Sequence, residues 1–263
     1  MNAVEKFNLR ADAIDSLVCV GLDSDIKRLS PSYWAGDQPQ FRFNQSIIEK
    51  THEYAAAYKI NMAFYEARGE EGWRDARLTV TYLRENHPDI LVICDAKRGD
   101  IGSTSEAYAR AVFDDLGFDA VTLAPYLGRE ALMPFISRTD KGCIILCRTS
   151  NPGAGEFQDL IVEGKPLYLH VAERVSREWQ GNCMLVVGAT YPDEMRQIRA
   201  VVGDMTFLVP GVGEQGGDVE TTIRAGLNRH RKGVIINSSR GIIFSDDPAA
   251  AARDLRDTIN CSR

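Results

Sequence analysis

The sequence is poor in the features that mark metal sites, membrane segments and nucleic-acid-binding surfaces. Its four histidines show no HxxH or HExxH spacing and its six cysteines form no CxxC pair, so we expect no metal site. No apolar run approaches the roughly 18 residues that a membrane helix needs, so we expect no membrane partner. The net charge of −6 offers no basic face that could displace phosphate counterions, so we expect no nucleic-acid partner.

The N-terminal segment also lacks the features of a secretion signal. Residues 1–16, MNAVEKFNLRADAIDS, are polar and amphipathic, without an apolar h-region or a cleavage site. Several cysteines lie inside apolar, strand-like runs, where a free thiol behaves as a small hydrophobic side chain. We therefore expect a cytoplasmic protein whose cysteines are core thiols.

What the sequence does contain is a series of short apolar runs that alternate with helical patterns. The predicted strands are residues 17–22, 57–60, 91–94, 120–123, 143–146, 184–187, 206–209 and 234–236. Apolar strands joined by helices, such as those predicted over 103–116 and 192–202, are typical of parallel sheets buried on both faces. Eight such units predict an α/β protein with one (β/α)8 TIM-barrel domain over residues 1–263. A doubly wound sheet is the alternative, because counting strands cannot establish closure.

Two segments are longer than a minimal barrel requires. Residues 25–42 follow the first predicted strand, and residues 149–165, which contain NPGAG, follow the fifth. Loops that follow strands gather at the C-terminal end of a barrel, where active sites lie. Long loops in that position are commonly lids or binding loops, but the sequence does not give the function of residues 25–42.

Charged and hydroxyl side chains follow the predicted strands at their C-terminal ends. They are Asp23, Lys59, Asp95, Lys97, Thr149, Ser150 and residues 237–240, together with Pro210 and Gly211 after the seventh strand. In a barrel the ends of all strands meet around one opening. We therefore expect these residues to converge on one pocket.

Residues 92–104, VICDAKRGDIGST, concentrate the ionisable groups. Asp95 and Lys97 are two apart and share one side of an extended segment, whereas Asp100 follows Gly99, where the backbone is free to turn away. Carboxylates keep a neighbouring ammonium charged, so Lys97 could protonate a carbanion, while Asp95 would repel an anionic substrate group. Two like charges about 4 Å apart repel by roughly 4 kcal/mol at an effective dielectric near 20. From spacing alone, a surface ion pair worth about 0–1 kcal/mol explains these residues equally well.

The glycine-rich residues 210–217, PGVGEQGG, satisfy the GxGxxG pattern. A dinucleotide site would also need an acidic residue at the end of the next strand, where Asn237 stands. The other interpretation is the phosphate site that barrels form from the loops after strands seven and eight and a helix N-terminus. Arg240 would supply its charge-assisted contact, although it could also be a solvated loop arginine. We favour the phosphate site.

Together these motifs closely resemble the orotidine 5'-phosphate decarboxylases. The similarity rests on DxKxxDI at 95–101, SNPGA at 150–154, PGVGEQGG at 210–217 and SR at 239–240, and it extends over nearly the whole chain. RTSNPGA and the long segment after the first strand are similar to the longer-chain bacterial branch. The resemblance implies a cofactor-free carbon–carbon lyase that converts orotidine 5'-phosphate to UMP and CO2, the last step of de novo pyrimidine nucleotide synthesis.

The resemblance also implies a role for each residue. Lys97 would protonate C6 of the substrate as its carboxylate leaves, and Asp95 would crowd that carboxylate. Asp100, Ile101 and Thr104 would enter the site from the other subunit of a homodimer. The substrate-binding residues would be Asp23 and Lys59 at the ribose, Ser150 at the pyrimidine, Gln215 between pyrimidine and phosphate, and Pro210, Gly213, Ser239 and Arg240 around the phosphate.

Two other functions remain open from the sequence. Mg²⁺-dependent phosphosugar decarboxylases and aldolases of the same superfamily share DxKxxD, but they place an acidic metal ligand near the end of the second strand. This chain has AYKIN there, and Lys59 would repel Mg²⁺. The other alternative is a phosphate-binding barrel without catalysis. The set of Asp95, Lys97 and Asp100 argues against it, because binding alone does not need a clash of like charges.

Overall fold

The computed structural model describes residues 1–34, 36–179, 181–212 and 217–263, and its parallel strands close into a barrel. The barrel strands are β1 (Val18–Gly21), β2 (Ala57–Asn61), β3 (Leu91–Arg98), β4 (Ala120–Leu123), β5 (Gly142–Arg148), β8 (Cys183–Val187), β9 (Phe207–Val209) and β10 (Val234–Ser238). Each pairs with its neighbours in chain order, and β10 returns to β1 with Ile236 opposite Val18. The TIM-barrel prediction is confirmed, and the doubly wound alternative is wrong because the sheet has closed.

Strand β3 differs most from its predicted extent. The apolar run ends at Cys94, but the strand continues to Arg98, with a register shift against β4 between these two residues. The polar part of β3 lies at the open end of the barrel, where side chains do not have to be apolar. Asp95 and Lys97 therefore lie within the strand and not after it.

Helices surround the barrel between consecutive strands. The longer ones are α1 (Ala3–Ile14), α3 (Pro39–Thr51), α5 (Gly69–Asn86), α6 (Gly102–Arg110), α7 (Gly128–Ile136), α9 (Leu167–Arg174), α10 (Pro192–Val202), α11 (Val219–Gly226) and α13 (Pro248–Ser262). The short ones are α2 (Pro31–Trp34), α4 (Ala63–Glu66), α8 (Gly155–Gln158) and α12 (Arg240–Ile243). Helix α10 has the predicted bounds and begins with proline in its first turn. The helix predicted over 103–116 is α6 followed by a π-helical turn, Ala111–Asp115.

The barrel core is apolar on both sides of the sheet, as parallel strands require. Every residue of β1, β4, β8 and β9 is buried. Five cysteines, Cys19, Cys94, Cys143, Cys147 and Cys183, are buried free thiols, and burial raises the pKa of Cys19 to about 12. The expectation of core thiols is confirmed for these five and is wrong for Cys261, which is exposed in α13. Among the described residues, no helix is long and apolar enough to cross a bilayer.

The two long segments contain secondary structure of their own. Residues 25–42 form a 3-10 turn (Ile26–Arg28), helix α2 and the first turn of α3. Residues 149–165 form a second 3-10 turn (Pro152–Ala154), α8 and most of a hairpin between β6 (Ile161–Val162) and β7 (Lys165–Pro166). The second segment reaches the cavity described below, whereas no described residue of 25–42 lines it.

Candidate active site

A cavity of about 540 Å³ opens at the C-terminal end of the barrel. Its wall is built from residues that follow or end the strands, so side chains distant in sequence become neighbours. The predicted site residues that line it are Asp23, Lys59, Asp95, Lys97, Ser150, Pro210, Ser239 and Arg240. Gly213 and Gln215 lie outside the described residues.

Four charged side chains form a continuous row along one wall of the cavity. Lys59 Nζ lies 3.2 Å from Asp23 Oδ1 and 3.2 Å from Asp95 Oδ2. The other oxygen of Asp95, Oδ1, accepts a hydrogen bond from Lys97 Nζ at 2.7 Å. We call Asp23, Lys59, Asp95 and Lys97 the charge row. Their signs alternate, so each lysine lies against a carboxylate.

The buried members of the charge row stay ionised because they face opposite charges. Only 4% of the Lys59 side chain is exposed, and burial alone would lower the pKa of Lys59. The carboxylates of Asp23 and Asp95 outweigh burial and raise that pKa. Burial alone would raise the pKa of Asp95, but the ammonium groups of Lys59 and Lys97 outweigh it and lower the pKa to about 2. Asp95 is therefore a carboxylate at neutral pH.

Thr122 on β4 supports the charge row. Its hydroxyl donates to Asp95 Oδ1 at 2.9 Å, and Thr122 Oγ1 in turn accepts the backbone N–H of Lys97 at 2.9 Å. Thr122 is only 1% exposed. In the sequence it looks like an ordinary strand residue, because it lies inside the apolar run that forms β4. The spacing of DxKxxD gave no signal for this contact, because the partner comes from another strand.

The turn after Asp95 is made by Lys97 itself. Lys97 has φ +48°, a left-handed conformation that is uncommon for residues other than glycine and that clusters at functional sites. Gly99, where we expect the backbone to be free to turn away, directly follows the end of β3, and its φ is not in the left-handed region. Gly99 is needed for space instead: a Cβ there would lie 2.9 Å from the Ala124 carbonyl oxygen.

Asp100, Ile101 and Thr104 do not line the cavity of their own chain. Asp100 Oδ1 accepts the backbone N–H of Ile101 at 2.8 Å, at the start of α6. Ile101 is 61% exposed, and Thr104 is exposed as well. Of the residues expected to serve a neighbouring subunit, Ile101 and Thr104 are thus exposed and Asp100 is half-buried, and the role of all three in a shared site stays a prediction.

The loop after β5 is anchored by a buried arginine that the sequence interpretation missed. Arg148 is 2% exposed; its Nη2 donates to Asp159 Oδ2 at 3.1 Å and its Nε lies 3.0 Å from Asp159 Oδ1. Its guanidinium carbon lies 3.8 Å from the centre of the Tyr191 ring. Thr149 and Gln158 close the loop through their own hydrogen bonds, from Thr149 N to Gln158 Oε1 and from Gln158 Nε2 to Thr149 Oγ1, both 2.9 Å. This arrangement presents Ser150 and Gln158 to the cavity.

The part of the wall formed after β9 and β10 contains the predicted phosphate-binding residues that the structure describes. Pro210, Ser239 and Arg240 line the cavity there, and Arg240 begins α12. Ser239 is 7% exposed and packs against the backbone of β1, since a Cβ at Gly21 would lie 1.9 Å from Ser239 Oγ. Across the ranges described, no group of three His, Cys, Asp or Glu side chains is arranged to hold a metal ion.

Comparisons with known proteins show the family of the chain. The family model described as "Orotidine 5'-phosphate decarboxylase / HUMPS family" matches residues 16–255. The orotidine 5'-phosphate decarboxylase of Cellvibrio japonicus is 44% identical, with 100% of both chains covered. That of Herpetosiphon aurantiacus is 46% identical over 96% of this chain and 93% of the relative.

A solved structure, that of Leishmania donovani OMP decarboxylase, superimposes with a TM-score of 0.90 at 40% identity, covering 100% of this chain and 99% of that one. The resemblance of the motifs is confirmed by sequence and by fold. The chain belongs to the orotidine 5'-phosphate decarboxylase / HUMPS family.

Proposed function

We propose that this chain decarboxylates orotidine 5'-phosphate to UMP and CO2, without a cofactor, in the cytoplasm and as one barrel domain. The observation that carries the proposal is the contact between Lys97 and Asp95 inside the charge row, in the cavity of a chain of this family. Curated relatives with this name cover the whole chain, which also supports the activity. The product would feed pyrimidine nucleotide synthesis.

Asp95 and Lys97 divide the chemical step between them. The substrate carboxylate on C6 lies against Asp95, and the two like charges repel each other until CO2 leaves. The C6–carboxylate bond breaks, its electron pair stays on C6, and the Lys97 ammonium transfers a proton to that carbon. Relief of about 4 kcal/mol of repulsion corresponds to roughly three decades of rate.

The rest of the charge row keeps this pair in the correct charge state. Lys59 neutralises the side of Asp95 that does not face Lys97, and Thr122 holds Asp95 by a third contact. Asp95 is therefore negatively charged at neutral pH and does not change its protonation state there. Such preorganised charges stabilise a carbanion without rearranging during the reaction.

Binding far from C6 supplies the energy that holds the substrate against Asp95. Asp23 and Lys59 bind the ribose hydroxyls and Ser150 binds the pyrimidine edge, whereas Gln215 connects the pyrimidine with the phosphate. Pro210, Gly213, Ser239 and Arg240 surround the phosphate, with Arg240 as the charge-assisted donor. The anchored loop after β5 holds Ser150 over the pyrimidine.

We also propose that two chains form a homodimer with shared active sites. Ile101, Tyr108, Tyr126 and Leu127 expose 61%, 38%, 91% and 50% of their surface. Tyr108 lies in α6 and Ile101 directly before it, Tyr126 and Leu127 lie in the turn before α7, and α7 packs against both α6 and that turn. Exposed apolar side chains of this size favour a protein interface. Association through them would bring Asp100, Ile101 and Thr104 to the neighbouring cavity.

The Mg²⁺-dependent phosphosugar enzymes are not favoured by this geometry. A metal ligand is expected near the end of β2, but the Lys59 ammonium already lies between the carboxylates of Asp23 and Asp95. A divalent cation would have to displace a buried ammonium from both. The orotidine 5'-phosphate reaction requires no such displacement.

One assay tests the activity directly. The purified chain is mixed with orotidine 5'-phosphate, and the fall in substrate absorbance is followed with and without EDTA. We expect turnover that EDTA does not change. Absence of turnover would contradict the proposal, and turnover that EDTA abolishes would favour the metal-dependent relatives.

A further inference from the structure

Asp23, a member of the charge row, lies in the segment after β1 and outside any strand. The Leu22 N–H donates to the Lys59 carbonyl oxygen at 2.8 Å, and beyond this bond the chain leaves the sheet. Asp23, the next residue, nevertheless holds its carboxylate 3.2 Å from Lys59 Nζ. A carboxylate on irregular backbone needs other contacts to keep this position.

Those contacts come from buried side chains behind the segment. Tyr65 Oη donates to the carbonyl oxygen of Leu22 at 2.9 Å, and Gln40 Nε2 donates to the carbonyl oxygen of Ser24 at 2.7 Å. The Ser24 hydroxyl donates to Asn44 Oδ1. The residues on both sides of Asp23 are thus held by hydrogen bonds.

The three supporting side chains are held in turn by a connected network. Asn44 Nδ2 donates to Tyr65 Oη at 2.7 Å and to Thr79 Oγ1 at 3.0 Å. Gln40 Oε1 accepts from Arg68 Nη1 at 2.9 Å, and Arg68 forms an ion pair of 2.7 Å with Asp75. The network members with no exposed surface are Ser24, Gln40, Asn44, Tyr65, Thr79 and Asp75.

A buried network of this kind defines geometry more than it adds stability. Each of its polar groups loses water on folding and recovers that loss only when all partners are in place. Well-packed apolar side chains could fill the same volume at no such cost. The network ends on the residues that flank Asp23, so its ordered state fixes where the Asp23 carboxylate points.

We propose that Tyr65, Gln40 and Asn44 are positioning residues that act on catalysis through Asp23. They hold residues 22–24 so that the Asp23 carboxylate meets both Lys59 and the substrate sugar, and in this respect the inference rests on the proposed function. The inference also assigns a positioning role to part of residues 25–42, although none of their described side chains lines the cavity. The segment delivers Gln40, in the first turn of α3, to the back of the active site.

Two tyrosines of the same burial provide the first test. Tyr65→Phe removes the hydrogen bond to the Leu22 carbonyl oxygen and the one from Asn44 Nδ2. Tyr58→Phe also removes two bonds, to Thr51 (2.8 Å) and to the Ile48 carbonyl oxygen (3.3 Å), and neither involves the site. Both tyrosines have no exposed surface, so we expect similar drops in melting temperature. We expect kcat/KM to fall roughly 5- to 10-fold in Tyr65→Phe and to stay within about twofold of wild type in Tyr58→Phe. Equal kcat/KM in the two variants would overturn the inference.

A double-mutant cycle separates positioning through Asp23 from a general loss of stability. In an Asp23→Asn background, Tyr65→Phe should change kcat/KM less than about twofold, because the carboxylate that it positions is already gone. Gln40→Met should behave in the same way in both backgrounds. A full 5- to 10-fold effect of Tyr65→Phe in the Asp23→Asn background would contradict action through Asp23.

Crystal structures of the two phenylalanine variants give a readout that does not depend on turnover. In Tyr65→Phe the distance between Asp23 and Lys59 Nζ should exceed the 3.2 Å seen here, and in Tyr58→Phe it should not change. An unchanged distance in both variants would refute the positioning role even if the enzyme is active. An inactive wild-type protein with the expected displacement would instead refute the proposed activity and leave the positioning role supported.

Discussion

The two ends of the DxKxxD motif lie in contrasting surroundings. The Asp95 side chain is 11% exposed and its carboxylate contacts Lys59, Lys97 and Thr122. Asp100, five residues later, accepts the N–H of the next residue and lies outside the cavity of its chain. Within one short motif, Asp95 has its charged partners in its own chain, whereas Asp100 does not line the cavity of that chain.

The spacing of residues in a motif therefore does not indicate which cavity each of them lines. The left-handed turn at Lys97 separates the two aspartates, so the inward alternation of β3 ends there. Asp95 and Lys97 are built into the wall of their own barrel. Asp100 lies just before the next helix, α6, and does not line the cavity of its own chain.

The largest expected effect tests the inward end. Lys97→Ala removes the proposed proton donor, and we expect kcat to fall by about 10⁴-fold or more. The fold should persist, because 51% of the Lys97 side chain is exposed. Turnover and thermal unfolding would be measured beside Lys50→Ala, which removes an exposed lysine of α3 and should leave both unchanged. Activity near that of wild type in Lys97→Ala would refute the assigned role.

The outward end is tested by mixing two inactive subunits. Asp100→Ala alone should lose most activity if its carboxylate completes a neighbouring site. When Asp100→Ala and Lys97→Ala chains exchange freely in equal amounts, half of the dimers are mixed and one of their two sites is intact, which restores about a quarter of the wild-type rate. No recovery despite demonstrated exchange would mean that Asp100 does not act across an interface.

A smaller effect is expected where a buried group supports the site without touching the substrate. Arg148→Lys loses the planar fork that faces Asp159 and Tyr191, so we expect KM to rise about 5- to 10-fold with little change in kcat. Arg199→Lys is the matched control: its guanidinium carbon also lies 3.8 Å from a ring centre, that of Phe207, at the opposite end of the barrel. Both variants should lose stability, and only the first should change KM. Equal KM values would contradict a role for Arg148 in presenting the loop.

The smallest expected effect is on stability at low pH. The pKa of Asp95 is lowered from 3.8 to about 2, so its contribution to the free energy of unfolding is complete above pH 3.8 and is lost as pH falls toward 2. We expect this contribution to be roughly 2 kcal/mol. In urea titrations, the difference in stability between wild type and Asp95→Asn should be constant above about pH 4 and should shrink between about pH 4 and 2. A difference that does not vary with pH would exclude this linkage. As a control, Asp37→Asn replaces an exposed carboxylate and should have the same stability as wild type across this pH range.

Much of the fold could be predicted from local pattern because each barrel strand is an apolar run buried on both faces. All eight predicted runs contain strands, and α10 has the predicted bounds. The pattern failed at the end of β3, since polar residues at a barrel mouth no longer follow the apolar rule. For residues 25–42 the pattern did not indicate a function.

The candidate site divides in the same way. Residues that combine a charge with a strand end, such as Asp95, Lys97 and Arg240, stand out in the sequence. Thr122, Arg148 and Tyr65 do not, because each resembles a core or strand residue until its partner is known. Their partners are 27, 11 and 43 residues away along the chain, and only folding creates those pairs.

The sequence by itself determined the kind of fold, the types of reactive groups and their order along the chain. Only the tertiary structure shows that β10 closes on β1, that Lys59 lies between two carboxylates, and that Asp100 does not line the cavity of its own chain. Strands can be predicted from the sequence because their formation depends on burial and on residues that are close along the chain. An active site depends on charges that only the closed barrel brings within hydrogen-bonding distance.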